Sequence, residues 1–395
     1  MKKRLLYLLV LVTLVVAPSS SKAQMVTVTN GFATWLQGNG YAGCLSGNLL
    51  DGSCPLVINA TKINCSYADI QDLSGLYVFQ SLDTLIANSS GLTSISSLPN
   101  TLTYLELGSN SISSIGSFPD ALIYLGISYN QLNTLPSLPV TLEKFNCSNN
   151  LLPGLPNLPN SITQLNASYN AITSINSFPD LSTDIDFSHN QLQAIPALPL
   201  NLINFDISYN AITNLPQLNG AVQLNDFDCS HNQLTSIPAL PDTLSFLYCN
   251  YNSITALPTL NQNLKRLECS DNNLTSLPEL SNLLYLVCSN NNLSTGLPSL
   301  PSSLIGLSCE NDSLQSLPPL DSNLQTLYCA HNLLDSLPTI FDQLIDLRCS
   351  YNQLTQLPNL PATLTSLDCS FNQLTNLPDL PVSFYRFLIN DNPTI

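Results

Sequence analysis

One segment constrains the fold more than any other property of the chain. Leu357 to Thr375, LPNLPATLTSLDCSFNQLT, recurs imperfectly about every 20 residues along most of the sequence. A unit of that size cannot bury its own leucines, so its copies must stack, each supplying interior that its neighbours lack. About six apolar side chains per unit (Leu357, Leu360, Leu364, Leu367, Cys369 and Leu374) would each contribute on the order of 1.5–3 kcal/mol on burial. Ordering twenty residues costs about as much or more, so a lone unit is not expected to fold.

Each position within the unit has its own physical task. Leu367 and Cys369 alternate with Ser366 and Asp368, the pattern of a half-buried strand with Ser366 and Asp368 on the wet face. Stacked copies of that strand make a parallel sheet. An asparagine follows where the chain turns, and its amide has both donor and acceptor capacity for buried turn backbone. This column is filled by Asn110, Asn130, Asn150, Asn170, Asn190, Asn210, Asn232, Asn252, Asn272, Asn291, Asn332, Asn352 and Asn372, with Asp312 among them and Asn392 at its end. Two weaker units precede it, with Ala68 and Ser90 in the slot, giving about 17 rungs. Leu357-Pro358 and Leu360-Pro361 return along the far side, where two prolines in four residues exclude helix and favour extended polyproline-II chain. The spacing breaks in three places: two residues inserted near Gly220-Ala221, one lost before Asn291 and one gained near Gly296. All three are expected in loops, which absorb such changes.

The pattern LxxLxCxxNxL with LPxLP resembles the leucine-rich repeat family over roughly Ile63 to Ile395. Its 20-residue LPxLP form is similar to a bacterial subclass of YopM-type and IpaH-type repeats. The resemblance implies a horseshoe or superhelical solenoid, mostly β with little helix. Its parallel sheet lines a concave face that binds protein partners, with extended polyproline-II and loop chain on the convex side. The ubiquitin-ligase domain of the IpaH type has no counterpart in this sequence, so no ligase activity is carried over. The chain stops at Asn392-Pro393-Thr394-Ile395 without a polar cap over the last rung, and a longer original chain is expected. Residues 24–62 depart from the repeat. Phe32, Trp35 and Leu36 follow Asn30, a candidate N-cap, at helical spacing. This region is expected to cap the first rung, since an open solenoid end exposes core. Its Gly38-Asn39-Gly40-Tyr41-Ala42-Gly43 spells a dinucleotide fingerprint, but the helix lies before it rather than after, so a loop is expected.

Residues 1–23 read as an export signal: Lys2, Lys3 and Arg4, the apolar run Leu5 to Ala17, then Ser21-Lys22-Ala23 with small residues at −3 and −1. The run is too short for the roughly 20 residues that span a bilayer. The expected location is secreted or cell-surface. Beyond that segment the chain carries 6 basic against 26 acidic residues, a net charge of −20, which repels phosphate backbones and anionic lipid. Nucleic acid is therefore an unfavourable partner. Of 12 cysteines, ten (Cys65, Cys147, Cys229, Cys249, Cys269, Cys288, Cys309, Cys329, Cys349 and Cys369) share one slot, where Leu107, Ile127, Ala167, Phe187 and Ile207 stand in other rungs. Cysteine there serves as a small buried hydrophobe. Strands about 4.8 Å apart with parallel Cβ vectors do not suit a disulfide, so ten free thiols are expected. Cys44 and Cys54 lie outside the repeats and are able to pair. Metal-site cysteine and histidine spacing is absent, and no cofactor is expected.

Function is sought on the outward columns. One, just before the asparagine slot, contains His189, Tyr209, His231 and Tyr251, with Tyr129, Tyr169, His331, Tyr351 and Phe371. Such rings either form a recognition surface or shield the turn by stacking on one another. A second feature is acidic: Asp184, Asp186, Asp206, Asp226 and Asp228 occupy two columns across three adjacent rungs. They either form a solvated acidic face or invite a basic partner or a calcium ion. Ser188-His189 and Ser230-His231 are versions of the repeated Ser-x-Asn element, adjacent in sequence and unsuited to a triad; no HExxH, GxSxG or P-loop accompanies them, so the chain is not expected to be an enzyme. The leading expectation is an exported module that recognises a protein, in adhesion or contact with a host or cell surface. The alternatives are a carbohydrate-binding surface protein, with Tyr209 and Tyr251 stacking on sugars, and a passive spacer.

Overall fold

The computed structural model describes residues 24–382 and 384–393; the export segment expected at 1–23 lies outside the described residues. Among them no helix is long and apolar enough to cross a membrane. The chain opens with a small cap. Strand β1 (Met25–Thr27) pairs antiparallel with β3 (Leu49–Asp51), which also pairs with β2 (Leu45–Ser46). Helix α1 (Asn30–Leu36) lies between β1 and β2 in sequence. Its N-cap is Thr29, not Asn30: the Thr29 hydroxyl accepts from Phe32 N at 3.4 Å and reaches the Ile70 and Asp72 carbonyls. One side chain thus both starts the helix and fastens it to the first coil. Gly31 is required at that junction, because a Cβ there would overlap the Asp69 carbonyl and crowd Ile70. The GxGxxG segment follows α1 as irregular helical turns at Gln37–Tyr41 and Ala42–Cys44. A second short helix, α2 (Pro55–Ile58), was not legible in the sequence. Cys44 and Cys54 are joined by a disulfide.

From Lys62–Asn64 onward the chain is a right-through stack of short strands, paired parallel in one 17-stranded sheet that ends at Arg386–Leu388. The two end strands do not pair with each other among the described residues, so the sheet is open rather than closed. Each strand is three residues long, with its central side chain inward: Ile185, Phe205, Phe227, Leu247 and Leu267 are all buried. The residue two places on supplies the next layer of core, and there the ten lone cysteines sit buried as free thiols. In the Asn372 rung, Leu357, Leu364, Leu367, Cys369 and Leu374 are buried while Leu360 is half-buried. Ser366, expected on the wet face, is only 1% exposed.

Register survives all three spacing breaks. Asn204 pairs with Asp226, Arg266 with Tyr285, and Tyr285 with Gly306, so every extra or missing residue is taken up off the sheet. The return side has no regular structure over most of its length, as the paired prolines require. One exception, unforeseen from sequence, is a two-stranded parallel pairing of Ser94–Ile95 with Ser114–Ile115 in early rungs.

The asparagine column holds the turns together. Asn150 Nδ2 donates to the carbonyls of Ile127, Cys147 and Ser148 at 3.0, 3.1 and 3.2 Å, and its Oδ1 accepts from Leu132 N at 3.0 Å. The same pattern recurs at Asn130, Asn272, Asn332, Asn352 and Asn372. At the second weak rung the Ser90 hydroxyl donates to Cys65 O at 2.8 Å in partial substitution.

Candidate functional site

Because only the middle residue of each strand points inward, the first and third residues form two outward columns. Register places Asp184, Asn204 and Asp226 in one column and Asp186, Asp206 and Asp228 in the other. The five aspartates singled out from sequence are therefore neighbours on one stretch of sheet. They line a shallow groove of about 590 Å³ with Lys144, Gln164 and Asn166 on one side and Tyr248 on the other. Sequence reading missed those flanking residues, although column register would have found them.

The carboxylates are held by short local bonds. Thr183 donates to Asp184 at 2.6 Å and Asn204 Nδ2 to its other oxygen at 2.6 Å. Ser188 donates both N–H and hydroxyl to Asp186, and Asn166 Nδ2 donates to the second oxygen at 3.0 Å. Ser208 N and Ser230 N donate to Asp206 and Asp228 at 2.8 and 2.9 Å. Burial nonetheless pushes Asp206 up to about 6, with the Asp228 and Asp186 charges adding to it against the Ser208 bonds. Asp226 is raised by burial and by Asp228, and Asp228 by burial despite the bonds from Ser230. The groove floor is thus a set of crowded, partly desolvated negative charges. Calcium finds no seat there. The bonds turn the carboxylates of Asp184, Asp186, Asp206 and Asp228 toward serine, threonine and asparagine, and among the described residues no group of three or more His, Cys, Asp or Glu side chains is arranged to hold a metal ion.

The aromatic column lies elsewhere. His189, Tyr209, His231 and Tyr251 come after the strands, in the turn, each with a positive φ of 52–54°. They form one continuous pile from Tyr169 to Tyr251, with centroid spacings of 3.9, 4.1, 3.9 and 4.2 Å and planes within 15° of parallel. A second pile joins His331, Tyr351 and Phe371. Burial in the pile lowers the His231 pKa. Tyr209 is 45% exposed, but both of its faces are covered by imidazoles, leaving only its edge and hydroxyl to solvent. A sugar ring stacks on an aromatic face, so the carbohydrate role expected of Tyr209 lacks the surface it needs. Ser188, whose hydroxyl bonds Asp186, and His189, whose ring is sandwiched, do not address a common point.

Beyond the acidic stretch the sheet face changes character. The Arg266 guanidinium lies between the Tyr248 and Tyr285 rings, 6.0 and 5.3 Å from their centroids, and is bound to Glu268 at 2.6 Å. Further on, Arg348 sits 4.2 Å over Tyr328 and bonds Asp346. These pairs, too, were not foreseen from sequence.

No protein-family model and no curated protein matches the chain. Solved structures do. YopM from Yersinia enterocolitica WA-314 is 30% identical, the match covering 85% of this chain and 88% of that one with a TM-score of 0.60. YopM from Yersinia pestis, described as a leucine-rich effector protein, is 30% identical over 84% and 89% of the two chains with a TM-score of 0.67. The functional domain of InlJ from Listeria monocytogenes, described as including a cysteine ladder, is 21% identical over 90% and 77% with a TM-score of 0.58, a likeness of fold. The stacked three-residue strands, the asparagine column and this likeness along most of both YopM chains agree: the chain belongs to the leucine-rich repeat family.

Proposed function

We propose that this chain is an exported bacterial binding module of the 20-residue LPxLP type, which recognises a protein partner on the concave face of its sheet. The acidic groove takes a basic segment of that partner. The observation that carries the reading is the gathering of Asp184, Asp186, Asp206, Asp226 and Asp228 in a single groove, partly desolvated and open to solvent. Removing carboxylates from water in this way strengthens their attraction for an incoming lysine or arginine. The leucine-rich repeat fold itself is typical of protein-binding modules.

The test replaces all five aspartates with asparagine and measures binding of a Lys/Arg-rich peptide by titration calorimetry at low and high salt. The native chain should bind at least about tenfold more tightly at low salt and lose that advantage as salt screens the groove. The substituted chain should bind weakly and without salt dependence. Affinity of the native chain should also fall as pH drops through about 6, where Asp206 takes up a proton and loses its charge. Equal affinity and equal salt slope in the two chains would remove the groove as the binding site.

A further inference from the structure

One rung breaks the chemistry of the asparagine column. In the next rung Asn332 Nδ2 donates to the carbonyls of Cys309, Cys329 and Ala330 at 2.8, 3.2 and 3.2 Å. Its Oδ1 accepts from the Asp312 and Leu314 amides. Asp312 stands in the same slot and is fully buried. Its Oδ1 accepts from Asn291 N at 2.8 Å. Its Oδ2 is buried without a hydrogen-bond partner. By position Oδ2 replaces the amide nitrogen, the atom that in neighbouring rungs gives hydrogen bonds to carbonyl oxygens. An ionised carboxylate has nothing to give there and sets negative charge against the negative ends of carbonyl dipoles. A protonated carboxyl has one O–H and fits the slot.

The surroundings offer no counter-charge. The titratable groups that face Asp312 are the thiols of Cys269, Cys288 and Cys309, each pushed well up by burial and so neutral. Burial raises Asp312 itself to about 7, against the bond from Asn291. Two independent features mark the same coil. Both Asn311 and Ser313 have positive φ, at 55 and 59°, where the other rungs from Asn110 onward have one such non-glycine residue each among the described residues. The strand offset leading into this rung is 21 residues, Tyr285 to Gly306, where the next one, Gly306 to Thr326, is 20.

We propose that the Asp312 rung is a proton-dependent seam in the solenoid, closed while the Asp312 carboxyl carries its proton and loosened when it ionises. The direction follows from linkage. The folded group holds its proton up to about 7, whereas the unfolded chain releases it near the ordinary carboxylate value of 3.8. Stability of this coil therefore falls as pH rises between those values, and the loss is complete above about 7. The seam would separate the part of the sheet that carries the acidic groove from the last rungs.

The buried thiols on either side are built-in reporters. In the full chain, alkylation of each cysteine by N-ethylmaleimide is followed by mass spectrometry at pH 5.5 and pH 8.5, each rate divided by that of the same cysteine in denatured chain at the same pH. At pH 8.5 Cys288 and Cys309 should label at least about tenfold faster than Cys229 and Cys249, as local opening exposes them; at pH 5.5 the four should be alike. Asp312→Asn should restore equal protection at both pH values. A second variant, Asn352→Asp, should carry the pH-dependent labelling to Cys329 and Cys349. Equal protection of Cys288 and Cys249 at pH 8.5 in the native chain, or excess labelling that survives Asp312→Asn, would overturn the proposal.

Discussion

The asparagine column makes a quantitative prediction, because its hydrogen bonds are shared between rungs. The Ile127 carbonyl accepts from Asn130 at 3.1 Å and from Asn150 at 3.0 Å. The Ile112 amide donates to Asn130 Oδ1 at 2.9 Å, and the Leu132 amide to Asn150 Oδ1 at 3.0 Å. Asn130 and Asn150 are 9% and 7% exposed. In Asn150→Ala the Leu132 amide is orphaned, while Ile127 O keeps Asn130 and Ser148 O keeps the Tyr129 amide at 3.0 Å. One orphaned buried amide costs about 1–3 kcal/mol. Asn130→Ala orphans the Ile112 amide at a similar cost. The double variant orphans both amides and also strips Ile127 O of both side-chain donors. Its destabilisation should exceed the sum of the singles by about 1–2 kcal/mol, the desolvation of one further buried polar group. Asn150→Ala combined with Asn272→Ala, several rungs apart, should be additive within about 0.5 kcal/mol. Urea denaturation of the four chains closes each cycle, and amide exchange at Ile112 and Leu132 checks that the loss is local. Additivity in the adjacent pair equal to that of the distant pair would refute the sharing of acceptors as the source of cooperativity between rungs.

Two further outcomes follow from the slots on either side of that column. Cys249 is fully buried in a position that Ala167 fills in another rung, so Cys249→Ala should cost less in urea midpoint than Cys249→Ser, whose unpaired hydroxyl costs about 1–3 kcal/mol. Tyr209 has φ of 54° and two stacked neighbours, so Tyr209→Ala, which loses the stack and keeps the left-handed backbone, should be less stable than Tyr209→Gly by about 1 kcal/mol in the same assay.

Much of the architecture was legible because a repeat reports its own phase. The residue two places beyond Leu367 is cysteine or another apolar side chain in rung after rung, which is enough to specify the strand, its inward face and the burial of ten thiols. The spacing changes at Gly220, before Asn291 and at Gly296 fell off the sheet for the same reason: a slip of one residue would turn Phe227 or Leu286 outward. What period cannot report is the neighbour across the rung. Ser366 alternates with core residues and reads as wet, yet it is buried between flanking strands. Nothing in the repeat singles out Arg266, yet two tyrosine rings and Glu268 lie against it. Asp312 reads as an equivalent filler of the asparagine slot, since the two side chains have the same shape, and only the orphaned oxygen shows that their hydrogen-bonding differs. The cap lacked a repeat altogether, so Thr29 and α2 had to be found from contacts.

The turn chemistry also explains why recognition is best sought on the strands rather than on the conspicuous rings. Every turn passes through a residue at φ near 50–60°, a conformation that costs a non-glycine residue about 1–2 kcal/mol. Glycine would relieve that cost but would leave the turn without a side chain. A ring placed there meets the ring of the next rung at about 4 Å, and such pairs contribute about 0.5–1.5 kcal/mol each beyond the area they bury. An interior ring of the pile makes two such contacts, enough to offset its backbone strain, and the faces that do so are then unavailable to a ligand. Asparagine, the rings and the buried cysteines are thus all committed to holding one coil on the next. The outward strand positions share no such uniform duty, their links between rungs being local pairs such as Asn166 with Asp186 and Asn204 with Asp184: Asp206, Tyr248, Val287, Ser308 and Arg348 occupy equivalent places in successive parts of the same column. Those are the positions where charge and shape are able to change from rung to rung without loosening the solenoid, and the acidic groove is built from them.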